Sequence, residues 1–272
     1  MKRIHHYHAD GSALGGIITL PKSAFIPSQA EVSLAPSGGS TSDKTGLFHF
    51  DDIVSCSGTE THASGSENRE TGSWATLVTT VVTDLNIRNT VIAERVVAQI
   101  SVEHPPEGYT PKVTFVGSQF VNLSIGGVPV EVIINNRILS PVADYPTVPW
   151  PKNKDFLDTI REQRRRVSKS GPTPDWAGGL FTNDDPLKGF DQKGYYLCSL
   201  VDRIEAKIPG KSIPGESCGH LVKVPDVGTF VFGELAVDHG SFRLVMVRAE
   251  LGSPVCGSVS AAASRGNGYS GP

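Results

Sequence analysis

Nowhere in this sequence do apolar residues run on for the ~18–20 positions that a membrane-spanning helix needs, so no helical span is expected. A bias of charge is missing too. The net charge is −3 and the pI near 6.2, which argues against the strongly basic balance of a general nucleic-acid binder. Aromatic residues make up 7% of the chain and apolar residues 38%, so the core must be built mainly from Val, Ile and Leu. The four cysteines, Cys56, Cys198, Cys218 and Cys256, form no C-x-x-C pair; in a chain of this length without an export signal, reduced thiols are the expectation. Behind the basic start at Lys2-Arg3 there is no apolar segment of the secretory kind, and the expected compartment is the cytoplasm.

What the chain does contain is strand signal. From Trp74 to Ile134 it is rich in Val, Thr and Ile with almost no helical spacing, the composition of a pleated, half-buried surface. Leu77–Leu85 and Val91–Val102 flank the short link Asn86–Asn89. Alternation along the second strand puts Ile92, Val96, Ala98, Ile100 and Val102 on one face. Phe120–Ile125 and Val128–Ile134 predict a hairpin over Gly126-Gly127. Further strands are expected at Gly16–Leu20, Glu31–Leu34, Leu47–Phe50, Ile53–Ser57, Lys112–Val116, Gly194–Ile208 and Leu221–Val224, and a second hairpin at Thr229–Val237 and Phe242–Leu251. The polar, small-residue stretch Thr59–Ser73 predicts an exposed loop or edge hairpin. The segment from Ser258, also small and polar, predicts a fraying tail over 258–272.

One helix is expected, at 154–169 (KDFLDTIREQRRRVSK), with Asn153 as its cap and Gly171-Pro172 as its stop. Phe156, Leu157, Ile160 and Val167 form its apolar stripe. Proline-rich segments flank it, so 140–189 reads as a helical insertion across a sheet edge or mouth. The fold expected is all-β: one domain over 1–272, a mostly antiparallel β-sandwich or squashed barrel with a single inserted helix.

Chemical motifs are few. Gly215-x-Ser217-x-Gly219 with His220 has the spacing of a nucleophile elbow, but that turn needs a strand before the serine and a helix after it, and neither flank fits. In an extended segment His6, His8 and Asp10 share a face, making them the candidate ligands for a divalent metal; no other cofactor is expected. Asp51-Asp52 and Asn183-Asp184-Asp185 read as turns, as does Asp238-His239 before Gly240. Arg161, Arg164, Arg165 and Arg166 concentrate positive charge on the helix and are candidates for an anionic or partner contact, although Asp158 and Glu162 dilute them. Arg165-Arg166-Val167-Ser168 and Asn122-Leu123-Ser124 match short modification patterns that arise often by chance. No glycine loop lies between a strand and a helix, so no nucleotide site is read.

The segments His8–Gly16, Pro111–Val132 (PKVTFVGSQFVNLSIGGVPVEV) and Phe232–Gly252 resemble an uncharacterised family of bacterial all-β proteins. The resemblance implies a bacterial, all-β protein and carries over no activity and no site residue. The leading functional expectation is therefore a non-enzymatic structural or binding protein that self-associates or presents a sheet face to a carbohydrate or protein, with Trp74, Trp150 and Trp176 as stacking candidates. An enzyme with a barrel-mouth pocket, metal-assisted through His6 and His8, is the alternative. A surface adaptor acting through the arginine helix is the third.

Overall fold

The computed structural model of the chain describes residues 4–108, 110–139, 146, 148–169, 174–177, 195–238 and 240–271. The first half contributes β1 (Ile4–Leu20), β2 (Ala24–Gln29), β3 (Val32–Ser33), β4 (Gly39–Thr45), β5 (Phe48–Phe50), β6 (Val54–Cys56) and β7 (Gly58–Glu67). The centre contributes β8 (Trp74–Ile87), β9 (Val91–His104), β10 (Lys112–Thr114), β11 (Gln119–Val121), β12 (Ser124–Ile125) and β13 (Val128–Ile134). After helix α1 (Lys154–Lys169) come β14 (Tyr196–Ser199), β15 (Val201–Ala206), β16 (Glu216–Cys218), β17 (Leu221–Val224), β18 (Gly228–Val237), β19 (Ser241–Leu251) and β20 (Cys256–Gly271).

These strands form two antiparallel sheets packed face to face, the sandwich version of the expected fold; the described residues close no barrel. The first sheet runs β16-β17-β18-β19-β20-β1-β2, with β14 beside β18 and β3 beside β1. The second runs β15-β13-β12-β9-β8-β6-β5, with β10 and β11 also on β9, and β7 joining β8 to β4.

β8 and β9 pair across the predicted link, and the hairpin over Gly126-Gly127 forms between β12 and β13, while the strand expected over Phe120–Ile125 is split at Asn122 (φ +49°) into β11 and β12. Arg88 (φ +53°) and Asn89 (φ +49°) turn β8 into β9, closed by the Thr90 N–H to Ile87 carbonyl bond of 2.9 Å. Gly126 (φ +54°) and Gly127 (φ +77°) turn β12 into β13. The second loop is a two-residue turn with positive φ throughout, the geometry that matches strand twist, and the first adds Thr90 to such a pair. The face assignment along β9 differs at its start: Ile92 is exposed while Val91 and Ala93 are buried. Across the ladder Asp84 of β8 takes φ +51° and is skipped together with Glu94, the pairing running from Thr83↔Arg95 to Leu85↔Ala93 in unchanged register, and the inward set changes parity there on both strands.

Small residues were the main source of misreading. The segment expected to fray from Ser258 is β20, a central strand of the first sheet. It pairs with β1 from Ile4↔Gly271 to Leu20↔Cys256 on one side and with β19 on the other. Thr59–Ser73, expected as an exposed loop or edge hairpin, is largely β7, paired with both β4 and β8. Thr59, Thr61 and Ala63 point inward there and are buried. In each case the missing bulk reflects the space between the sheets. A Cβ at Gly11 of β1 would stand 2.8 Å from Thr61 Cγ2, 2.9 Å from Thr80 Oγ1 and 3.0 Å from Val78 Cγ1. One at Gly266 of β20 would stand 2.8 Å from Val102 Cγ2. Thr80 Oγ1 and Ser264 Oγ, both buried, hydrogen-bond across the gap at 3.0 Å.

Away from this narrow seam the interior is filled conventionally by Leu14, Ile26, Leu85, Ile87, Phe115, Phe230, Phe232 and Phe242, all fully buried. The run expected as one strand over Gly194–Ile208 is two. β14 belongs to the first sheet and β15 to the second, with Leu200 at the corner between them. Helix α1 seals that corner. Asn153 caps it by accepting the Phe156 N–H at 3.0 Å, and Phe156, Leu157 and Ile160 join the main core. The buried Gln163 amide donates to the carbonyls of Ser199 (2.8 Å) and Val201 (3.3 Å) and accepts the Ser199 N–H at 3.2 Å, so the backbone that leaves one sheet for the other keeps its partners. Gly171-Pro172 and most of 140–149 and 170–194 lie outside the described residues.

If the sheets are held this close by missing side chains, Gly266→Val lowers unfolding free energy by about 1–3 kcal/mol in urea titration, the usual cost of overpacking. Ser260→Ala, with a partly exposed side chain on the same strand, shifts it by less than about 0.5 kcal/mol. Equal, small effects would contradict the packing described.

Candidate functional site

Because β1, β19 and β20 alternate, the residues opposite to the packed set form an outward face. One row crosses it without interruption: Ser33 of β3 pairs with Asp10, Asp10 with Arg265, Arg265 with Arg243, Arg243 with Ala236 and Ala236 with Leu197. Two open clefts of about 290 and 270 Å³ meet on this row, and both are lined by Arg243 and Arg265. The first continues to Glu234, Asp238, Ser241 and Tyr195; the second to Asp10, Ser12, Glu31 and Ser33.

Both guanidinium groups are exposed, and Arg265 donates to Ser241 Oγ at 3.0 Å. Burial raises the Asp10 carboxyl above the usual carboxylate range, and the positive charges of Arg265, His8 and Arg243 offset part of that rise. Glu234, in contrast, is committed: its carboxylate receives Arg248 Nε at 3.0 Å in a half-buried pair. The face thus has cations at its middle, and acceptors and hydroxyls at both ends.

Of the residues singled out from sequence, Asp10 lies in one of these clefts and Asp238, read there as a turn residue, lies in the other. His6, His8 and Asp10 do point the same way, while His5, Tyr7 and Ala9 are buried on the other side of β1. Among the described residues they are not gathered around a common point. Alternate residues on a strand stand ~6.5–7 Å apart, and His8 Nε2 reaches Asp10 Oδ2 at 3.7 Å.

The tryptophans are corrected as well. Trp150 is buried, donates Nε1 to the Pro111 carbonyl at 3.1 Å and meets Phe156 edge to face; Trp74 is buried against His5. Neither presents a ring face to solvent, and each contributes most as a desolvated core aromatic. Trp176 is partly buried, donates to Glu216 and lies under Lys223.

The arginine helix is not a uniform cationic face. Arg161 pairs with Asp158 (2.7 Å), and Arg166 pairs with Glu162 (3.5 Å) and with Asp202 of β15 (3.2 Å). Arg164 turns toward a small cavity with Gln163, Cys198, His220 and Glu234, and Arg165 is exposed. Ser217 sits in the β16–β17 hairpin rather than at a strand-to-helix turn, so the elbow motif is a coincidence of spacing. His220 is buried, and desolvation pushes its imidazole down to about 3. All four cysteines are free, and burial drives the Cys198 thiol up to about 12. Asp51, at φ +44°, and Asp52 belong to the turn between β5 and β6. Asn183–Asp185 and His239 lie outside the described residues.

Sequence reading missed Arg243, Arg265 and Tyr195. The two arginines are twenty-two positions apart along the chain, and only the β19–β20 register makes them neighbours. It also missed a buried cluster at the end of the sandwich, where His5 stacks on Trp74 (ring centroids 5.1 Å), meets Tyr7 edge to face and lies 4.9 Å from the His104 ring. Desolvation holds both imidazoles near 4, and each lowers further beside a neighbouring histidine, His6 for His5 and His5 for His104.

A family model described as a domain of unknown function, DUF8256, matches residues 5–238. No curated protein and no solved structure matches the chain.

The His5–His104 cluster has a pH signature. Both groups are neutral when folded and titrate near 6.5 when unfolded, so their contribution is complete above pH 6.5 and drains away as pH falls toward 4. Between pH 6.5 and 4.5 the urea-unfolding free energy falls by on the order of 1–3 kcal/mol, and His104→Phe flattens that part of the profile. An unchanged slope in the variant would contradict the burial of a neutral imidazole.

Proposed function

The chain belongs to the DUF8256 family, and from the outward face of its first sheet we propose that it is a non-catalytic binding protein that takes an extended, hydroxyl-rich ligand of the carbohydrate class. The observation that carries this reading is the pairing of Arg243 with Arg265 where two clefts meet on a row that crosses six strands. Strand-borne side chains are held by the ladder on both sides, so the face is organised before a ligand arrives and little ordering entropy is lost on binding.

The chemistry favours a saccharide over a protein surface. A protein interface needs an apolar centre ringed by polar groups, whereas here the centre is charged and the exposed ring that lines the clefts, Tyr195 at 37% exposure, stands at one end. Carboxylate and hydroxyl oxygens of Asp10, Glu31, Ser12, Ser33 and Ser241 accept from ligand hydroxyls, and guanidinium groups donate to ligand oxygens.

The test is a screen of oligosaccharides by calorimetry or on a glycan array, followed by Arg243→Ala with Arg265→Ala. Binding at least about tenfold weaker in the double variant, a loss of ~1.4 kcal/mol, is expected with an unfolding midpoint that does not fall. Binding that is indifferent to both substitutions would place the ligand elsewhere.

One observation supports a second reading, self-association. β2 ends the first sheet, and Phe25 on it is 68% exposed beside its cross-strand partner Ile17, 48% exposed. Apolar side chains on an edge strand promote pairing with a second copy unless something covers them. On this reading light scattering gives at least a dimer mass and Phe25→Ser reduces it; a monomer at all concentrations would end it.

A further inference from the structure

Resting on that reading, we infer that the ligand is an acidic saccharide, laid across the strands with its anionic group between Arg243 and Arg265. Like charges directly opposite on neighbouring strands repel, and Arg243 and Arg265 are such a pair. Among the described residues neither guanidinium is ion-paired, and the one side-chain bond recorded for either is that of Arg265 to Ser241. An anion seated between them relieves the repulsion and accepts from two planar donor forks, the arrangement that suits carboxylate and sulfate alike.

The ends of the face set the rest of the ligand. Asp10 and Glu31 on one side, and Ser241 on the other, present mainly acceptor oxygens. A bare phosphate or sulfate offers these groups nothing to accept. A saccharide carrying an acid on one unit and free hydroxyls on its neighbours supplies an anion at the centre and donors at both flanks.

Direction follows from spacing. Neighbouring strands stand ~4.7–4.9 Å apart, close to the advance of one residue in an extended pyranoside chain. Successive sugars running along the row therefore meet Asp10, Arg265, Arg243 and then Ala236 in register, with Tyr195 beyond Leu197 offering a ring to the last unit.

The experiment is a calorimetric titration of the full chain with three oligosaccharides of equal length: a uronate oligomer, a sulfated one and a neutral one. The acidic ligands bind at least tenfold more tightly than the neutral one, and added salt weakens them. Arg243→Gln and Arg265→Gln each remove about tenfold for the acidic ligands only, while Lys44→Gln on β4 changes nothing. A preference between uronate and sulfate identifies the acidic group. Equal, salt-insensitive binding of all three would overturn the acidic assignment, and loss of that binding in Asp10→Asn would still leave the saccharide-binding face standing. Binding of an acidic peptide in place of any saccharide, or no binding at all, would overturn both.

Discussion

The closest approach of the two sheets is set by what the inward side of β1 and β20 omits. Ala9, Gly11 and Ala13 on one strand face the same gap as Ala261, Ser264 and Gly266 on the other, and against them stand the threonines and valines of β7, β8 and β9. A sandwich of ordinary filling keeps its sheets ~10 Å apart with interdigitated side chains. Along this seam backbone hydrogens of one sheet meet branched side chains of the other, and the Thr80–Ser264 hydroxyl pair is satisfied across it. The larger residues, Phe115, Phe230, Phe232 and Phe242, fill the wider regions beyond.

The same two strands make the outward face. A pleated strand has two sides, and once the seam fixes which side of β1 and β20 is inward, Asp10 and Arg265 must be outward and adjacent. β19 then brings Arg243 opposite Arg265. A slip of one residue in either ladder would bury these charges and expose the small residues, so the packing and the charged row stand or fall together. The register that makes the protein compact is therefore also the register that assembles the clefts.

Much of the architecture was legible in the sequence because it is written in local signals: the positive-φ turns at Arg88-Asn89 and Gly126-Gly127, the alternation along β8, the Asn153 cap and the apolar stripe of α1. Two strands were illegible for one reason. Thr59–Ser66 and Ser258–Gly268 are short of bulky residues, and a pattern rule equates missing bulk with missing structure. The rule fails where a small side chain is required by a close neighbour, which is a property of the other sheet. Face assignment failed at Ile92, where the inward set changes parity on both strands beside the left-handed Asp84 of β8. The site was less legible still. Asp10 was noticed for its histidine neighbours, but Arg243 and Arg265 carry no local motif. Trp74 and Trp150, conspicuous in sequence as rare aromatics, serve the core instead.

β20 is a structural member of the sandwich, holding both the seam and Arg265 in place. Native-state hydrogen exchange, read residue by residue along Ser258–Gly268, is the decisive measurement. These amides are expected to be among the slowest in the protein and to open only with global unfolding, together with their partners in β1 and β19. Fast exchange there, at the rate of a frayed terminus and independent of global stability, would contradict it.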